Sequence, residues 1–477
     1  MTDLAEECLD LLNEGHFQVV DPGPLHAPIH GFSLRRDDKL TLILETDADP
    51  EAKSTAVDHP SGTVRLNTER SKLVNIAGVE AELMGVLPFA LTTSHGDPMR
   101  RSLKEKARVH LVQVTPGDLE AATYTIDWLE NLPASPFIWP DTFKTVTATT
   151  TTRSIGLADE GITISGSGER TSMGQAAARL TIAGVTLYVC ALSRNGATDG
   201  IKPGCIVYAG IPDDLFRKKV RTALSFALGV YLVDLGYTLY DRRWHIVSAV
   251  ARSAYSLGRR AFEMGPEQLA PLGSRYLNEL GRSELTRMVG ALVAAYDELD
   301  LGNLSWAYWH ACTATVHIAP AHFGAAIEAL QRAYIDAHPG VVSKTILPRE
   351  PWLRLKAAMA ASIAEADILD DSKRTLTGKL FNLNQTDQRL LLKAVLDTVG
   401  LRLGMDEDSA WKRRNKAAHG MPVPEGEELA AIRDMKLLKG LLHRMLLRIA
   451  AAADLYIDYA SPGHPYRGLE VPPPSST

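Results

Sequence analysis

The sequence predicts an α+β protein in which a β-rich N-terminal half precedes a helical C-terminal half. The first observation is a series of short β-favouring segments between residues 40 and 211, separated by Gly, Pro and Asp. The second is a change, from Asp213 onward, to apolar residues that recur with the period of an amphipathic helix. The third is the length of 477 residues, which exceeds what one hydrophobic core usually supports. Two or more domains are therefore expected.

The β-rich half is predicted from local composition. Its predicted strands are 40–44, 109–115, 143–155, 162–165, 180–192 and 206–211. The segment 145–152 is almost entirely β-branched, which favours a pleated strand over a helix. One helix is predicted within this half, over 119–132. The short spacing between strands indicates an antiparallel sandwich or twisted sheet.

The helical half is predicted from its period and its stop signals. The predicted helices are 215–235, 284–299, 323–337, 352–369, 387–403 and 427–459. Asp213 provides an N-terminal cap for the first, and Gly404 and Gly420 end two later ones. These patterns divide the chain into a β-rich N-terminal domain (1–243), a helical connector (244–318) and a helical bundle (319–460). The remainder, 461–477, is rich in Pro and Ser and is predicted to be disordered.

The charge distribution argues against a general nucleic-acid-binding protein. The net charge is -6, whereas such proteins usually carry a surplus of Lys and Arg. The segment 319–459 differs, with 20 Lys and Arg against 18 Asp and Glu. Any contact with nucleic acid is therefore expected to be local, sensitive to salt and confined to the C-terminal third.

Cysteine use and hydropathy point to the cytoplasm. The four cysteines, Cys8, Cys190, Cys205 and Cys312, show no CxxC spacing, so the sequence predicts free thiols and no zinc framework. No segment approaches the roughly 20 apolar residues of a membrane span. The first residues carry acidic charge where a signal peptide needs positive charge. No membrane association, metal or cofactor is expected.

One C-terminal motif carries recognisable chemistry. It reads Arg413-Arg414-Asn415-Lys416-Ala417-Ala418-His419-Gly420 and follows Lys412. It places a permanent cation, an amide and a titratable base within six residues. Arg is suited to holding a phosphodiester, and an imidazole with a pKa of about 6.5 can remove a proton near neutral pH. If 410–418 is helical, Asn415 and His419 share one face while Arg414 lies about 140° away.

The motif and its surroundings resemble a known family. A helical bundle with Arg-Asn-x-x-x-His-Gly before its last long helix resembles the HEPN (higher eukaryotes and prokaryotes nucleotide-binding) domain. The helix that begins Phe323-Gly324-Ala325-Ala326 looks like the opening helix of such domains. A β-rich N-terminal half followed by this domain resembles the ApeA-type anti-phage proteins in architecture.

The resemblance implies a metal-independent endoribonuclease that acts in phage defence, with tRNA as the expected substrate. His419 would be the general base on a ribose 2′-hydroxyl, Arg414 would stabilise the phosphate charge, and Asn415 would orient His419 or hold a phosphate oxygen. RNA-binding residues would be Lys412, Arg413, Lys416 and His443. It also implies a homodimer in which two motifs line one cleft, and an N-terminal half that senses a phage-derived trigger or restrains the nuclease.

Alternative interpretations remain open for the motif and for other residues. Arg332 and His338 also match an Arg-x(5)-His pattern, but their position at a helix end favours a structural role. His443 fits an ordinary surface histidine as well as a contact with RNA. The segment 242–245, Arg-Arg-Trp-His, has the composition of a base-stacking site or of a Trp flanked by surface cations. The second hypothesis for the whole bundle is a non-catalytic dimerisation or RNA-binding module.

Overall fold

The computed structural model describes residues 7–54, 69–93, 102–132, 141–155, 162–192, 203–254, 270–273, 280–418, 420–421 and 423–475. Contacts between residues divide the chain into two compact units, Met1–Thr286 and Arg287–Thr477. The first unit is rich in strands and the second in helices, so the predicted α+β class is confirmed. The division differs from the predicted boundaries at 243 and 318.

The first unit is built on two antiparallel sheets. Its described strands are β1 (Phe17–Asp21), β2 (His26–Arg36), β3 (Leu42–Ser54), β4 (Arg70–Asn75), β5 (Glu80–Met84), β6 (Leu87–Thr93), β7 (Leu103–Val109), β8 (Leu111–Thr115), β9 (Tyr124–Glu130), β10 (Asp141–Ile155), β11 (Ile162–Ile182), β12 (Val185–Ala191), β13 (Gly204–Tyr208), β14 (Val233–Tyr240) and β15 (Ile246–Arg252). Eleven form one sheet in the order β1-β4-β5-β8-β15-β14-β9-β13-β12-β11-β10. The other four form a sheet in the order β2-β3-β7-β6.

A hydrophobic core lies between these sheets. Alternate residues of β7 are buried, so one face of the small sheet turns inward. The short helix α1 (Glu7–Glu14) adds Cys8, Leu9 and Leu12 to the same core. Residues from the large sheet, including Leu83, Val112 and Ala249, complete it.

The predicted helix at 119–132 is wrong, because β9 occupies half of this segment and only a short 3-10 turn, Leu119–Ala121, precedes it. β9 lies between β13 and β14 in the interior of the large sheet, and six of its seven residues are buried. A strand buried on both faces lacks the alternation of polar and apolar residues that identifies a half-exposed strand. The predicted connector 244–318 likewise contains β15, which is an interior strand and not part of a helix.

The helix predicted at 215–235 is confirmed but shorter. α2 (Asp214–Leu228) begins where the Asp213 carboxylate accepts a hydrogen bond from the Phe216 backbone N–H. It ends at Gly229, whose φ of 67° is a left-handed conformation that glycine adopts at low cost. Arg217 and Arg221 of α2 both donate to the fully buried carboxylate of Asp127 on β9, which fixes the helix to the sheet.

The second unit is helical. Its helices are α3 (Arg282–Ala294, which starts just before the boundary), α4 (Leu301–Thr313), α5 (Ala319–Ala337), α6 (Arg349–Glu365), α7 (Asp370–Lys379), α8 (Gln388–Thr398), α9 (Met405–Ala418) and α10 (Glu428–Ile449). Helix α5 packs against α4, α8, α9 and α10, so it forms the centre of the bundle. Trp309, Phe323 and Leu441 are fully buried there.

A buried ion pair holds α9 to α10. Both Arg444 on α10 and Glu407 on α9 are at most 1% exposed. Arg444 Nη1 donates to Glu407 Oε1 at 2.7 Å, while its other nitrogens donate to the backbone oxygens of Leu469 and Arg402. The Glu407 carboxylate also accepts from the Gly404 N–H. Every described nitrogen of this guanidinium therefore has an acceptor, which a buried charge requires.

The predicted disorder of 461–477 differs from the structure over 461–475. β16 (Leu455–Ile457) pairs with β17 (Tyr466–Gly468), and Leu469 is fully buried. The Tyr456 hydroxyl donates to the Val471 backbone oxygen at 2.9 Å. Composition indicated disorder because Pro and Ser dominate the last residues, but the apolar and aromatic residues before them are anchored by the bundle.

Candidate functional site

The motif lies at the C-terminal end of α9. The inward face of this helix consists of Glu407, Ala410, Trp411 and Arg414, all buried, at the i, i+3, i+4, i+7 spacing of a helix packed on one side. Three acidic residues lie in its first turn, where negative charge is favourable at a helix N-terminus. The buried face packs against α5 and α10. Arg414 is therefore directed into the bundle and not into open solvent.

Three groups hold the Arg414 guanidinium. Its carbon atom lies 3.6 Å from the ring centroid of Trp411, one turn earlier on α9, which is a cation–π contact. Its Nη2 donates to the Glu328 carboxylate on α5. Its Nη1 donates to the side-chain oxygen of Asn415 at 3.1 Å. The guanidinium plane is thus fixed by the ring, and its two terminal nitrogens are fixed by hydrogen bonds.

Gly324 allows this arrangement because it lets α5 approach the arginine closely. A Cβ at position 324 would lie 2.3 Å from Arg414 Cδ, well inside van der Waals contact. Glu328 lies one turn further along the same face of α5. The pair Gly324 and Glu328 therefore supplies the space and the counter-charge that Arg414 needs.

One donor of Arg414 is not used within the described part of the chain. Its Nε is buried and makes no hydrogen bond with the described residues. Leaving a buried N–H without an acceptor costs about 1–3 kcal/mol, so an acceptor at this position would be favourable.

His419, the predicted base, lies outside the described residues. α9 ends at Ala418, the residue before it. Gly420, the residue after it, has a φ of 72°, and its N–H donates to the Ala417 backbone oxygen at 3.0 Å. This is a left-handed helix stop, as predicted for Gly420. The structure brings Arg414 and Asn415 together. Because His419 is outside the described residues, its closeness to them stays a prediction.

The neighbouring cations are already paired. Arg413 is half exposed and donates to both carboxylate oxygens of Asp434 on α10, at 2.6 and 2.5 Å. Lys412 is exposed and lies 3.0 Å from Asp408, one turn earlier on α9. The side chain of Lys416 is outside the described residues. The local positive charge read from the sequence is therefore reduced by acids that α9 and α10 place beside it.

The prediction that His443 binds RNA is wrong, because its side chain is fully buried. His443 Nε2 lies 2.9 Å from the Tyr308 hydroxyl on α4, inside the bundle. Desolvation, followed by the nearby charge of Lys439, lowers the pKa of His443 to about 3. The apolar stripe of α10 includes His443 as a core residue, and nothing in the sequence distinguishes this histidine from a surface one.

This buried histidine predicts an acid-sensitive bundle. The imidazole is neutral in the folded state, whereas in the unfolded chain it binds a proton below a pKa of about 6.5. The contribution of the neutral His443 to the free energy of unfolding is therefore fully present above about pH 6.5. It decreases as the pH drops towards 3, by about 2 kcal/mol between pH 6.5 and 5. Urea unfolding at these two pH values measures the effect. The variant His443→Gln, which does not titrate, is expected to lose most of this slope; an unchanged slope would contradict the assignment.

Sequence reasoning missed the residues that position Arg414. Trp411 precedes it by three residues and is buried, which is the spacing of a neighbour on the same helical face. Glu328 lies in α5, whose residues 323–326 resemble the opening helix of a HEPN domain, but it is 86 positions away from Arg414 in the sequence. A sequence shows the first kind of neighbour through periodicity and gives no signal for the second.

The other residues singled out in the sequence make packing or hydrogen-bond contacts within the fold. The His338 ring stacks on Tyr334 at 4.4 Å, and its Nδ1 lies 3.0 Å from the Tyr334 backbone oxygen at the end of α5. Trp244 is in the turn between β14 and β15, half exposed, with one ring face stacked on Tyr124 at 4.7 Å. Cys190 and Cys205 face each other across β12 and β13 as free thiols.

The described residues contain neither a metal-binding cluster nor a membrane-spanning helix. Within the described ranges, no group of three or more His, Cys, Asp or Glu side chains is arranged to hold a metal ion. Among the described helices, none combines the length and apolar character needed to cross a bilayer. Comparison of the chain with protein-family models, curated proteins and solved structures gives no match.

Proposed function

We propose that this chain is an endoribonuclease of the HEPN type that cleaves RNA without a metal ion, with tRNA as the expected substrate. The observation that carries the proposal is the fixed guanidinium of Arg414, five residues before His419. Asn415, Glu328 and Trp411 orient it before any substrate binds. Such preorganisation would serve charge stabilisation in a transition state once the Glu328 carboxylate releases the guanidinium.

The proposed reaction is an internal phosphoryl transfer. His419 removes the proton of a ribose 2′-hydroxyl, and the 2′-oxygen attacks the adjacent phosphorus. The bond from phosphorus to the 5′-oxygen of the next nucleotide breaks, and that oxygen takes up a proton. The products are a 2′,3′-cyclic phosphate and a 5′-hydroxyl end. DNA lacks the 2′-hydroxyl, so it is not expected to react.

Arg414 would stabilise the negative charge that develops on the phosphate oxygens. Its buried Nε lies against Gly324 of α5 and makes no hydrogen bond within the described residues, so it would become a donor to the phosphate only if α9 shifted away from α5. Its Nη1 would be a second if Asn415 moved its oxygen away. Lys412 and Lys416 would attract the RNA backbone, with Arg413 contributing where Asp434 releases it. Placing two motifs in one cleft would supply a second cation, which is why a homodimer belongs to the proposal.

We further propose that the enzyme acts in the cytoplasm during phage defence, where free cysteines such as Cys8 and Cys312 stay reduced. An unrestrained ribonuclease would harm its own cell, so the β-rich unit is assigned a sensing or restraining role. A phage-derived trigger would relieve this restraint. The ion pair between Arg414 and Glu328 supports a resting state in which the cation is not yet available to RNA.

The direct test uses purified full-length protein, total tRNA and excess EDTA. We expect cleavage that persists in EDTA and leaves 2′,3′-cyclic phosphate ends, which a phosphatase removes only after acid opens the ring. A DNA strand of the same sequence should stay intact. Cleavage that EDTA abolishes, or 3′-hydroxyl products, would contradict the proposal. A cell-lysate arm from phage-infected cells supplies a trigger if the resting protein is inactive.

One observation favours the alternative, a non-catalytic dimerisation or RNA-binding module. Arg414 is nine-tenths buried and ion-paired, which are also the properties of an arginine that only stabilises a bundle. In that case RNA would bind, or two chains would associate, but RNA would be cleaved neither by the purified protein alone nor after addition of the infected-cell lysate. Toxicity on expression separates the two functions, because only a nuclease loses its toxicity when His419 is replaced.

A further inference from the structure

The turn that joins β14 to β15, residues 241–245, places an aromatic ring and two cations at the surface of the β-rich unit. Every residue from Arg242 to His245 is exposed. Trp244 is 49% exposed, although tryptophan is on average among the more buried residue types. The sequence left two interpretations of this segment open, a base-stacking site and a Trp flanked by surface cations. The geometry of the turn distinguishes them.

Hydrogen bonds fix the backbone of this turn. The Trp244 N–H donates to the Asp241 backbone oxygen at 3.1 Å, and the Asp241 N–H donates to the His245 backbone oxygen at 3.0 Å. The Asp241 carboxylate accepts from the N–H groups of Arg243 and His245, at 2.7 and 2.9 Å. This is the pattern of a three-residue hairpin loop, in which a tight turn is followed by one residue in the left-handed conformation.

Trp244 is that left-handed residue, with a φ of 64°. Glycine is the usual residue at this position of the loop, because it has no Cβ to crowd the backbone. A bulky residue with positive φ is an outlier, and such outliers cluster at ligand-binding sites. The turn therefore carries backbone strain that glycine would avoid, and what it gains is an aromatic ring held at the surface.

Two tyrosines hold this ring from one side. Tyr124 on β9 stacks on the Trp244 ring, with centroids 4.7 Å apart and planes within 3° of parallel. Tyr240 on β14 contacts the same ring at 5.4 Å in a tilted arrangement. Tyr124 and Tyr240 are opposite each other in the β9–β14 pair, so both lie on one face of the large sheet. Because half of Trp244 is still exposed, its outer face is open to stack a further ring.

The two arginines beside this ring are not neutralised. Neither Arg242 nor Arg243 makes an ion pair within the part of the chain that the structure describes. The adjacent carboxylate, Asp241, is engaged by the backbone N–H groups of the turn and lies 3.1 Å from His245 Nδ1. Elsewhere in the same unit, exposed Arg70 is paired with Glu82 at 2.7 Å. The turn thus presents two guanidinium groups that are available to an anion.

Other carboxylates near the turn limit the size of the anion that fits. Glu7 accepts a hydrogen bond from the Tyr240 hydroxyl. Asp118 and Glu120 are exposed beside the short turn 119–121, which contacts β15, and Asp118 accepts from the Glu120 N–H at 3.1 Å. The positive charge is therefore local. It suits one or two phosphate groups and not a long stretch of duplex.

We propose that the turn 241–245 binds single-stranded nucleic acid, with an unpaired base stacked on the outer face of Trp244 and the flanking phosphates held by Arg242 and Arg243. Stacking on aromatic side chains together with cationic contacts is how proteins hold single strands without reading their sequence. A duplex offers phosphates, but its bases are already stacked on one another.

This site differs from the expectation that any contact with nucleic acid is confined to the C-terminal third. The expectation rested on net charge, which does not show that two unpaired cations lie beside a supported ring. The site belongs to the β-rich unit, whereas the Arg414 motif belongs to the helical unit. The proposal therefore holds whether or not the chain cleaves RNA.

The test measures fluorescence anisotropy of labelled oligonucleotides of about 12 nucleotides with the full-length protein in EDTA. The probes are oligo-dT, 2′-O-methyl oligouridine and duplex DNA of the same length. The first two lack a free 2′-hydroxyl, so binding is measured without cleavage. We expect both single strands to bind, and the duplex to bind at least tenfold more weakly.

Trp244→Gly is the decisive variant, because glycine is the residue that this loop geometry prefers. The fold should be retained, as thermal melting verifies, while the dissociation constant for single strands should rise at least tenfold. Trp244→Phe retains a ring and should stay within about threefold of the original. The double variant Arg242→Ala with Arg243→Ala should also weaken binding at least tenfold and reduce its dependence on salt.

Arg70→Ala is the matched control, since it removes an exposed but ion-paired cation from the same unit and should leave binding unchanged. Three results would overturn the proposal. Neither single strand could bind at tens of micromolar protein. Single strands could bind equally well to Trp244→Gly, which would place the contact elsewhere, such as at the Arg414 motif. Finally, the duplex could bind as tightly as the single strands, which would mean that charge acts without stacking.

Discussion

Replacing His419 by alanine is expected to abolish RNA cleavage while leaving the fold intact. A positioned general base contributes about 10²- to 10⁴-fold to a rate, so the residual activity should fall below ordinary detection. The measurement is the initial rate of tRNA cleavage in EDTA, together with the toxicity of each variant on expression. Equal cleavage by the variant would place the activity elsewhere in the chain or in a contaminant.

Arg414 gives the second half of the same prediction. Removing one charge-stabilising donor typically costs about 10²- to 10³-fold in rate, so Arg414→Ala should lose at least that much. Arg414→Lys retains the charge but not the planar set of donors that contacts Trp411, Glu328 and Asn415. It is therefore expected to recover little activity. Full recovery by lysine would mean that charge alone matters at this position.

The adjacent residue is the matched control. Arg413 has the same side chain on the same helix, but it is half exposed and held by Asp434. Arg413→Ala should change cleavage by only a few-fold, through weaker RNA attraction. Because Arg414→Ala also leaves the Glu328 carboxylate without its counter-charge, thermal melts of both variants are needed. Loss of activity in Arg414→Ala with a retained melting transition would separate catalysis from stability.

The fold was predictable where local patterns are strong. The 3.6-residue period identified α5, α6, α8 and α10, and β-branched composition identified β10. The buried strand β9 was mistaken for a helix because burial on both faces removes alternation. The end of the chain was read as disordered because composition does not show that Leu469 is buried against Arg444. In each failure, tertiary contacts decided what local sequence left open.

The candidate site was predictable only in part. The motif placed Arg414 and Asn415 together, and the structure joins them by a hydrogen bond. Glu328 and Gly324 were not predictable as its partners, since they come from another helix. His443 was assigned to the surface because a histidine in an amphipathic helix has no fixed environment until the opposite element, here Tyr308, is known.

Removing one partner of the ion pair between Glu407 and Arg444 is expected to be the most destabilising single change in the helical unit. Both side chains are at most 1% exposed, so Glu407→Ala leaves an uncompensated buried cation. Such changes cost about 3–5 kcal/mol. Urea unfolding monitored by helical circular dichroism should show this loss. Arg374→Ala is the control: its partner Asp371 is exposed, and the loss should stay under about 1 kcal/mol.

The double variant Glu407→Leu with Arg444→Met separates two quantities. One is the net stabilisation that the ion pair provides, and the other is the cost of leaving one buried charge unpaired. Hydrophobic replacement of a whole buried pair is often neutral, so the double variant should be more stable than either single one. Recovery should be incomplete, because the backbone oxygens of Leu469 and Arg402 lose the donors that Arg444 provides. Recovery to full stability would show that those two hydrogen bonds contribute nothing. If the double variant is as unstable as the single variants, Arg444 acts mainly by anchoring the terminal segment. Limited proteolysis after residue 461 should then increase in Arg444→Met and in the double variant.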